Sequence, residues 1–190
     1  MDAIMLALVA VALANADGRT GVFLSRLLAA RDDRRRVFGI AVGVFVVNAV
    51  TAAVAGSIAN RMIGQGIVAL LVAFALLSAA VALAWRGRLT LADDRVLTAP
   101  VPLLAARMLL IQFGDRSHFL IGALAATSGA GHWAAAGGLA GWTIAMLPFL
   151  AFGPALADRL GAKIVRWAAA LILAIWGLRS AMTAFGMLGQ

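Results

Sequence analysis

From residue 37 to residue 59 the chain runs for 23 residues without one charged side chain. Five further apolar segments of similar or greater length follow from the hydropathy pattern, at 3–30, 63–85, 101–128, 133–156 and 164–187. A bilayer core of about 30 Å takes roughly 20 helical residues to cross at 1.5 Å per residue. The pattern therefore predicts an all-α integral membrane protein with six transmembrane helices. Composition agrees, because 64% of the residues are hydrophobic and only 13% are charged. Soluble domains carry about a quarter charged residues, so water is excluded as the solvent for this surface.

The short separators hold most of the charge. They read "RDDRRR" (31–36), "NR" (60–61), "RGRLTLADDR" (86–95), "GAGH" (129–132) and "ADRLGAK" (157–163). Basic residues crowd the first, third and fifth connections, whereas the second and fourth hold only Arg61. Basic loops stay in the cytoplasm, which predicts a multi-pass protein of the inner membrane with both termini outside the cytoplasm. The net charge of +8 is explained by the same rule and calls for no nucleic-acid partner. Trp85, Trp133 and Trp167 fall near segment ends, where interfacial tryptophans belong. "ANA" (14–16) imitates a signal-peptide cleavage site, but the preceding segment carries Asp2 and no basic residue, so the segment reads as a span.

Two segments carry polar groups at their centres. The first contains "NADGRT" (15–20) and the fourth "QFGDRS" (112–117). One offset of 97 residues pairs Asn15 with Gln112, Arg19 with Arg116 and Thr20 with Ser117. It also pairs Gly56 with Gly153, Gly64 with Gly161, Ile67 with Ile164 and Val68 with Val165. Such matches imply two repeats of three segments, 1–85 and 101–190, joined by a cytoplasmic linker at 86–100. Three is odd, so the second repeat enters the membrane from the opposite face, as in many secondary transporters. Asn15 and Gln112 each lie about 16–20 Å into their segments, near the midplane. Glycine beside aspartate weakens both helices there, and ionisable groups at that depth mark ion or substrate pathways by default. An ion-pair lock between the two helices, Arg19 with Asp115 and Arg116 with Asp17, is the plain structural alternative.

"QFGDRS" resembles the E-x-G-D-[KR]-[ST] signature of the Golgi-type calcium/manganese–proton exchangers, and "NADGRT" resembles a degenerate second copy. That family carries its two copies on the first and fourth of six helices, so the resemblance spans the chain. It implies export of manganese or calcium against entering protons, with the metal held by Asn15, Asp17, Thr20, Gln112, Asp115 and Ser117. Arg19 and Arg116 would balance the charge. The departures are the two family glutamates, replaced by Asn15 and Gln112, and the exchanged order of Asp17 and Gly18. The chain contains no glutamate at all, so two carboxylates face two guanidinium groups and the site is formally neutral. Amide and hydroxyl oxygens still suit a hard cation. A neutral site also suits a zwitterion, which keeps an exporter of amino acids or other small solutes open. A non-transporting partner subunit with a decayed site is the third reading.

Other polar residues carry less. His118 is expected on the outer half of the fourth segment, against headgroups or a backbone carbonyl, or else as a ligand or proton carrier. His132 belongs to a short external connection. Asn48, Thr51, Thr143 and Pro148 lie at related depths and extend a cavity or bind neighbouring helices. Arg107 snorkels toward the interface or meets an anionic substrate. "GIAVG" (39–43) and "GLAGW" (138–142) offer small residues for close helix contact. The chain has no cysteine, and no nucleophile triad or phosphate loop occurs, so neither an enzyme nor a cofactor is expected. A homo-oligomer is allowed by the sequence without being specified by it.

Overall fold

A computed structural model describes residues 2–85 and 98–187. Its elements are α1 (Asp2–Ala14), α2 (Arg19–Ala29), α3 (Arg34–Met62), α4 (Gln65–Ala84), α5 (Val101–Gln112), α6 (Arg116–Ser128), α7 (Gly131–Phe152) and α8 (Leu160–Ala184). A 3-10 turn (Pro154–Asp158) lies between α7 and α8. No strand occurs among the described residues. The third connection, 86–95, and most of the expected linker lie outside the described residues.

Four helices, α3, α4, α7 and α8, are each long and apolar enough to cross a membrane. α1 and α2 together pass the same test as a fifth span, but they are bent by 73° at residues 15–18. The remaining expected span, 101–128, is also interrupted. α5 alone is too short to cross, and residues 113–115 separate it from α6. The segments expected over 3–30 and 101–128, weakened where glycine adjoins aspartate, are each divided there into two shorter helices. A glycine causes each break: Gly18 has φ +72° and Gly114 φ +80°, left-handed values that an L side chain resists. The chain is a membrane-embedded, multi-pass helical protein.

Hydropathy explains what covers these helices. Val47, Val50, Val54 and Ile58 on α3 are exposed, as are Phe74 on α4 and Ile175 on α8. Such a surface would aggregate in water and is at home in lipid. Inside the bundle the helices meet through small residues, because lipid tails provide no hydrophobic drive between helices. A Cβ on Gly137 or Gly141 of α7 would strike the backbone carbonyl of Ile4 or Leu8 on α1. Gly56 of α3 lies in the same way against Gly122 of α6. The small residues expected at 138–142 are therefore at a close helix contact. Those at 39–43 are not: Gly39 and Gly43 have no neighbouring atom within 4 Å of a Cβ position, because that side of α3 faces outward.

Side-chain bonds sort the connections into two ends. At one end Arg31 donates from Nη1 to the carbonyl of Ala99 at 2.7 Å, tying the first connection to the start of α5. α2 also packs against the 3-10 turn, bringing the fifth connection to that end. At the other end Asn60 donates to the carbonyl of Ala126, and Gly131 packs against Ser57. The start of α1 lies beside Gly137, and the carbonyl of Ala184 is 3.9 Å from a Cβ position on Gly66. The first and fifth connections thus share one end, and the second and fourth share the other with the start of α1 and the end of α8.

Candidate functional site

The two breaks share two hydrogen-bonded positions. In the first, the N–H of Gly18 donates to the carbonyl of Asn15 at 3.1 Å, and that of Val22 to Gly18 at 2.8 Å. In the second, Asp115 donates to Gln112 at 3.1 Å and Phe119 to Asp115 at 3.2 Å. Each pair of positions is separated by 97 residues. α2 begins at Arg19 and α6 at Arg116, so an arginine opens each second half-helix. A cation is unfavourable at the positive end of a helix, and a neighbouring carboxylate offsets it.

The side chains of both breaks join. Asp17, with 1% of its side chain exposed, accepts from Arg116 Nη2 at 2.7 Å across the two segments. Its Oδ2 also lies 3.4 Å from Arg19 Nε, and its Oδ1 accepts from the Arg19 backbone N–H at 3.2 Å. Asn15 Nδ2 donates to Ser117 Oγ at 2.9 Å and to the Val11 carbonyl at 2.8 Å. Ser117 in turn donates to Asp115 Oδ2 at 3.3 Å. Asp115 lies 4.0 Å from Arg116 Nε and keeps 34% of its side chain exposed. Asn15, Asp17, Arg19, Asp115, Arg116 and Ser117 therefore form one polar cluster. Half of the expected ion-pair lock, Arg116 with Asp17, is present. The other half is corrected, since Arg19 turns to Asp17 within its own copy instead of to Asp115.

Two expected residues stand apart from these bonds. Gln112 is half-buried at the end of α5, and its Oε1 is buried without a hydrogen-bond partner. Thr20, half-buried on the first turn of α2, contributes no bond to the cluster. Arg116 Nη1 is likewise buried and unpartnered. Among the described residues no group of three or more His, Cys, Asp or Glu side chains is arranged to hold a metal. Any cation would rely on amide and hydroxyl oxygens as well as carboxylates.

A cavity of about 410 Å³ opens beside the second break. Gly114, Phe113 and His118 line it from the α5–α6 side, and Asn48, Thr51 and Ala59 from α3. His118 is buried, which corrects the expectation that it meets headgroups. Its ring lies 5.5 Å from that of Phe45, which stacks on Trp142 at 4.7 Å. Neither imidazole nitrogen has a partner in hydrogen-bonding geometry. Asn48 is also buried and donates to the Leu109 carbonyl at 3.5 Å. Thr143 bonds only within α7, to Leu139, and Pro148 is exposed, so neither extends this cavity. Sequence reasoning missed the aromatic support from Phe45 and Trp142 and the seat of Gly18 on the Phe149 ring. Both are contacts between distant segments with no local signature. Comparison with known protein families, with curated proteins and with solved structures gives no match.

Proposed function

We propose that the chain is a secondary transporter of six spans, built as two inverted three-helix repeats that carry their cargo between the two broken helices. The observation that carries this is the bonding of both breaks to each other, Arg116 to Asp17 and Asn15 to Ser117, in the interior of a membrane protein. Half-helices that end at mid-span present backbone carbonyls and N–H groups to a cargo without exposing them to lipid. The repeat is supported by matching element starts, 19 with 116 and 34 with 131. Cross-packing supports it too. α1 packs on α7 as α5 packs on α3, α3 packs on α6 as α7 packs on α2, and α4 pairs with α8. These pairings match a two-fold exchange of the repeats, whereas the packing of α6 on α1 and α4 has no comparable counterpart at α2. With the arginine-bearing connections at the cytoplasmic face, both termini fall outside.

The cargo in this reading is a divalent cation, manganese or calcium, exported against protons, as the resemblance of "QFGDRS" to the cation–proton exchangers implies. The oxygens available to it are those of the less constrained copy: the partly exposed Asp115 carboxylate, the unpartnered Gln112 Oε1 and Ser117 Oγ. A second reading is favoured by a specific observation. Asp17 is already held by two guanidinium groups, and Arg116 Nη1 is unpartnered. That arrangement suits the carboxylate of a zwitterionic solute better than a bare cation.

Flux in proteoliposomes separates the two. Manganese and calcium are compared with a panel of amino acids, for the native chain and for Gln112→Glu and Asp115→Asn. Cation exchange requires that Asp115→Asn abolish flux and that Gln112→Glu, which adds a buried negative charge, raise divalent affinity and sharpen its pH dependence. A folded Gln112→Glu variant with no gain in divalent binding transfers the assignment to solute export. No flux of any of these cargoes leaves the partner-subunit reading in its place.

A further inference from the structure

A second cavity, of about 480 Å³, lies at the arginine-rich end between α2, α3 and α7. Ser25 and Leu28 line it from α2, Arg34, Arg35 and Phe38 from α3, and Leu150 from α7. Its chemistry is divided. Leu28, Phe38 and Leu150 make an apolar floor, and two guanidinium groups stand at the rim.

Among the described residues, no carboxylate pairs with the arginines at this rim. Three arginines, 34 to 36, open α3, where the helix dipole disfavours cations. The nearest carboxylate, Asp33, is taken by Arg31 Nε at 2.7 Å. Arg34 reaches only the Arg31 carbonyl, through Nε at 3.4 Å, and no ion pair among the described residues holds Arg34 or Arg35. Asp32, the other acid of this connection, is exposed. An anion at the rim would relieve both the repulsion among the arginines and their conflict with the dipole. Phe38 is 39% exposed, so the floor is open toward the lipid-facing side of α3.

We propose that this groove binds an anionic phospholipid, with the phosphate on Arg34 and Arg35 and the upper part of an acyl chain along Leu28, Phe38 and Leu150. A charged head joined to an apolar tail is the one ligand chemistry that satisfies both halves of the cavity. The position fits as well, since the groove lies where helices leave the bilayer and headgroups meet chains. A bound lipid would bridge α2, the second half of the first broken helix, to α3 and α7. The site does not depend on which cargo the transporter carries.

The test uses the full chain, purified in non-ionic detergent and stripped of lipid. It is titrated with phosphatidylglycerol or phosphatidylcholine, and bound lipid is counted by native mass spectrometry. Phosphatidylglycerol should bind more tightly. Each of Arg34→Gln and Arg35→Gln should weaken it about fivefold, and the pair about thirtyfold, while phosphatidylcholine binding changes little. Arg36→Gln, outside the cavity, should leave the preference intact. Leu28→Trp, which fills the apolar floor, should weaken both lipids in a protein of unchanged helicity. Inorganic phosphate in excess should not displace the lipid. Equal affinity for the two lipids, an unaltered preference in the Arg34→Gln/Arg35→Gln variant, or ready displacement by inorganic phosphate would each overturn the proposal.

Discussion

At the first break Asp17 is 1% exposed and held by two arginines, and Gly18 is seated on the ring of Phe149. At the second break Asp115 is 34% exposed and only 4.0 Å from its arginine, and Gly114 has nothing within 4 Å of a Cβ position. The same hydrogen-bonded positions recur in both, Asn15 with Gly18 and Gln112 with Asp115, but the left-handed residue shifts with the order of glycine and aspartate. In "DG" the left-handed glycine immediately precedes α2, and the carboxylate falls one position earlier, inside the bundle. In "GD" the glycine comes first, and the aspartate itself precedes α6 with an extended backbone. One copy is thereby closed and dry while the other borders a cavity that reaches along α3 to Ala59, near the end that holds the second and fourth connections.

The largest effect expected from this contrast is on stability. Asp17→Ala leaves the mostly buried Arg116 without its carboxylate, and should cost about 3–5 kcal/mol. Asp115→Ala removes a partly exposed, distant partner and should cost less than about 1 kcal/mol. Reversible unfolding in mixed micelles measures both, and equal losses would erase the distinction between the copies.

The glycines sharpen the comparison. Gly114→Ala meets only the left-handed backbone penalty of roughly 1–2 kcal/mol. Gly18→Ala adds a collision with Phe149, a further 1–3 kcal/mol or so. The double variant Gly18→Ala/Phe149→Ala should therefore lose less than the two single losses added together, by about 0.5–3 kcal/mol. Strict additivity would show that Phe149 does not brace the first break.

Smaller effects are expected at the hydroxyls. Ser117→Ala takes an acceptor from the buried Asn15 amide and should cost about 1–3 kcal/mol. Thr20→Ala, its counterpart in the first copy, should stay within about 0.5 kcal/mol. Matching losses at the two positions would mean that Thr20 carries a bond equivalent to that of Ser117.

The smallest effect lies outside the spans. Arg31, by its hydrogen bond, holds the Asp33 carboxyl below the ordinary aspartate range. A depressed folded value means that this contribution is fully present above the unfolded aspartate range and is lost as pH falls through the folded value. The carboxyl resonance of Asp33, followed by NMR, should titrate below the ordinary aspartate range, and Arg31→Gln should bring it back toward that range. An unchanged titration in that variant would detach the first connection from this ion pair.

Much of this architecture was legible in the chain. Apolar length alone separates a membrane helix from a soluble one, because the solvent acts on each residue where it stands; α3, α4, α7 and α8 follow from that. The breaks were legible as well, since Gly18 and Gly114 allow left-handed turns by their own lack of a Cβ. Tertiary structure decided the rest. Nothing local distinguishes Gly39 and Gly43, which face outward, from Gly137 and Gly141, which seat α1. His118 looked like an interfacial residue until Phe45 of α3 covered it. The choice of Arg116 over Arg19 as the close partner of Asp17 depends on how two segments 99 residues apart approach each other. Hydropathy and turn chemistry are properties of neighbours in sequence. Which carboxylate is sealed and which stays open depends on neighbours in space, and those exist only once the two broken segments have packed together.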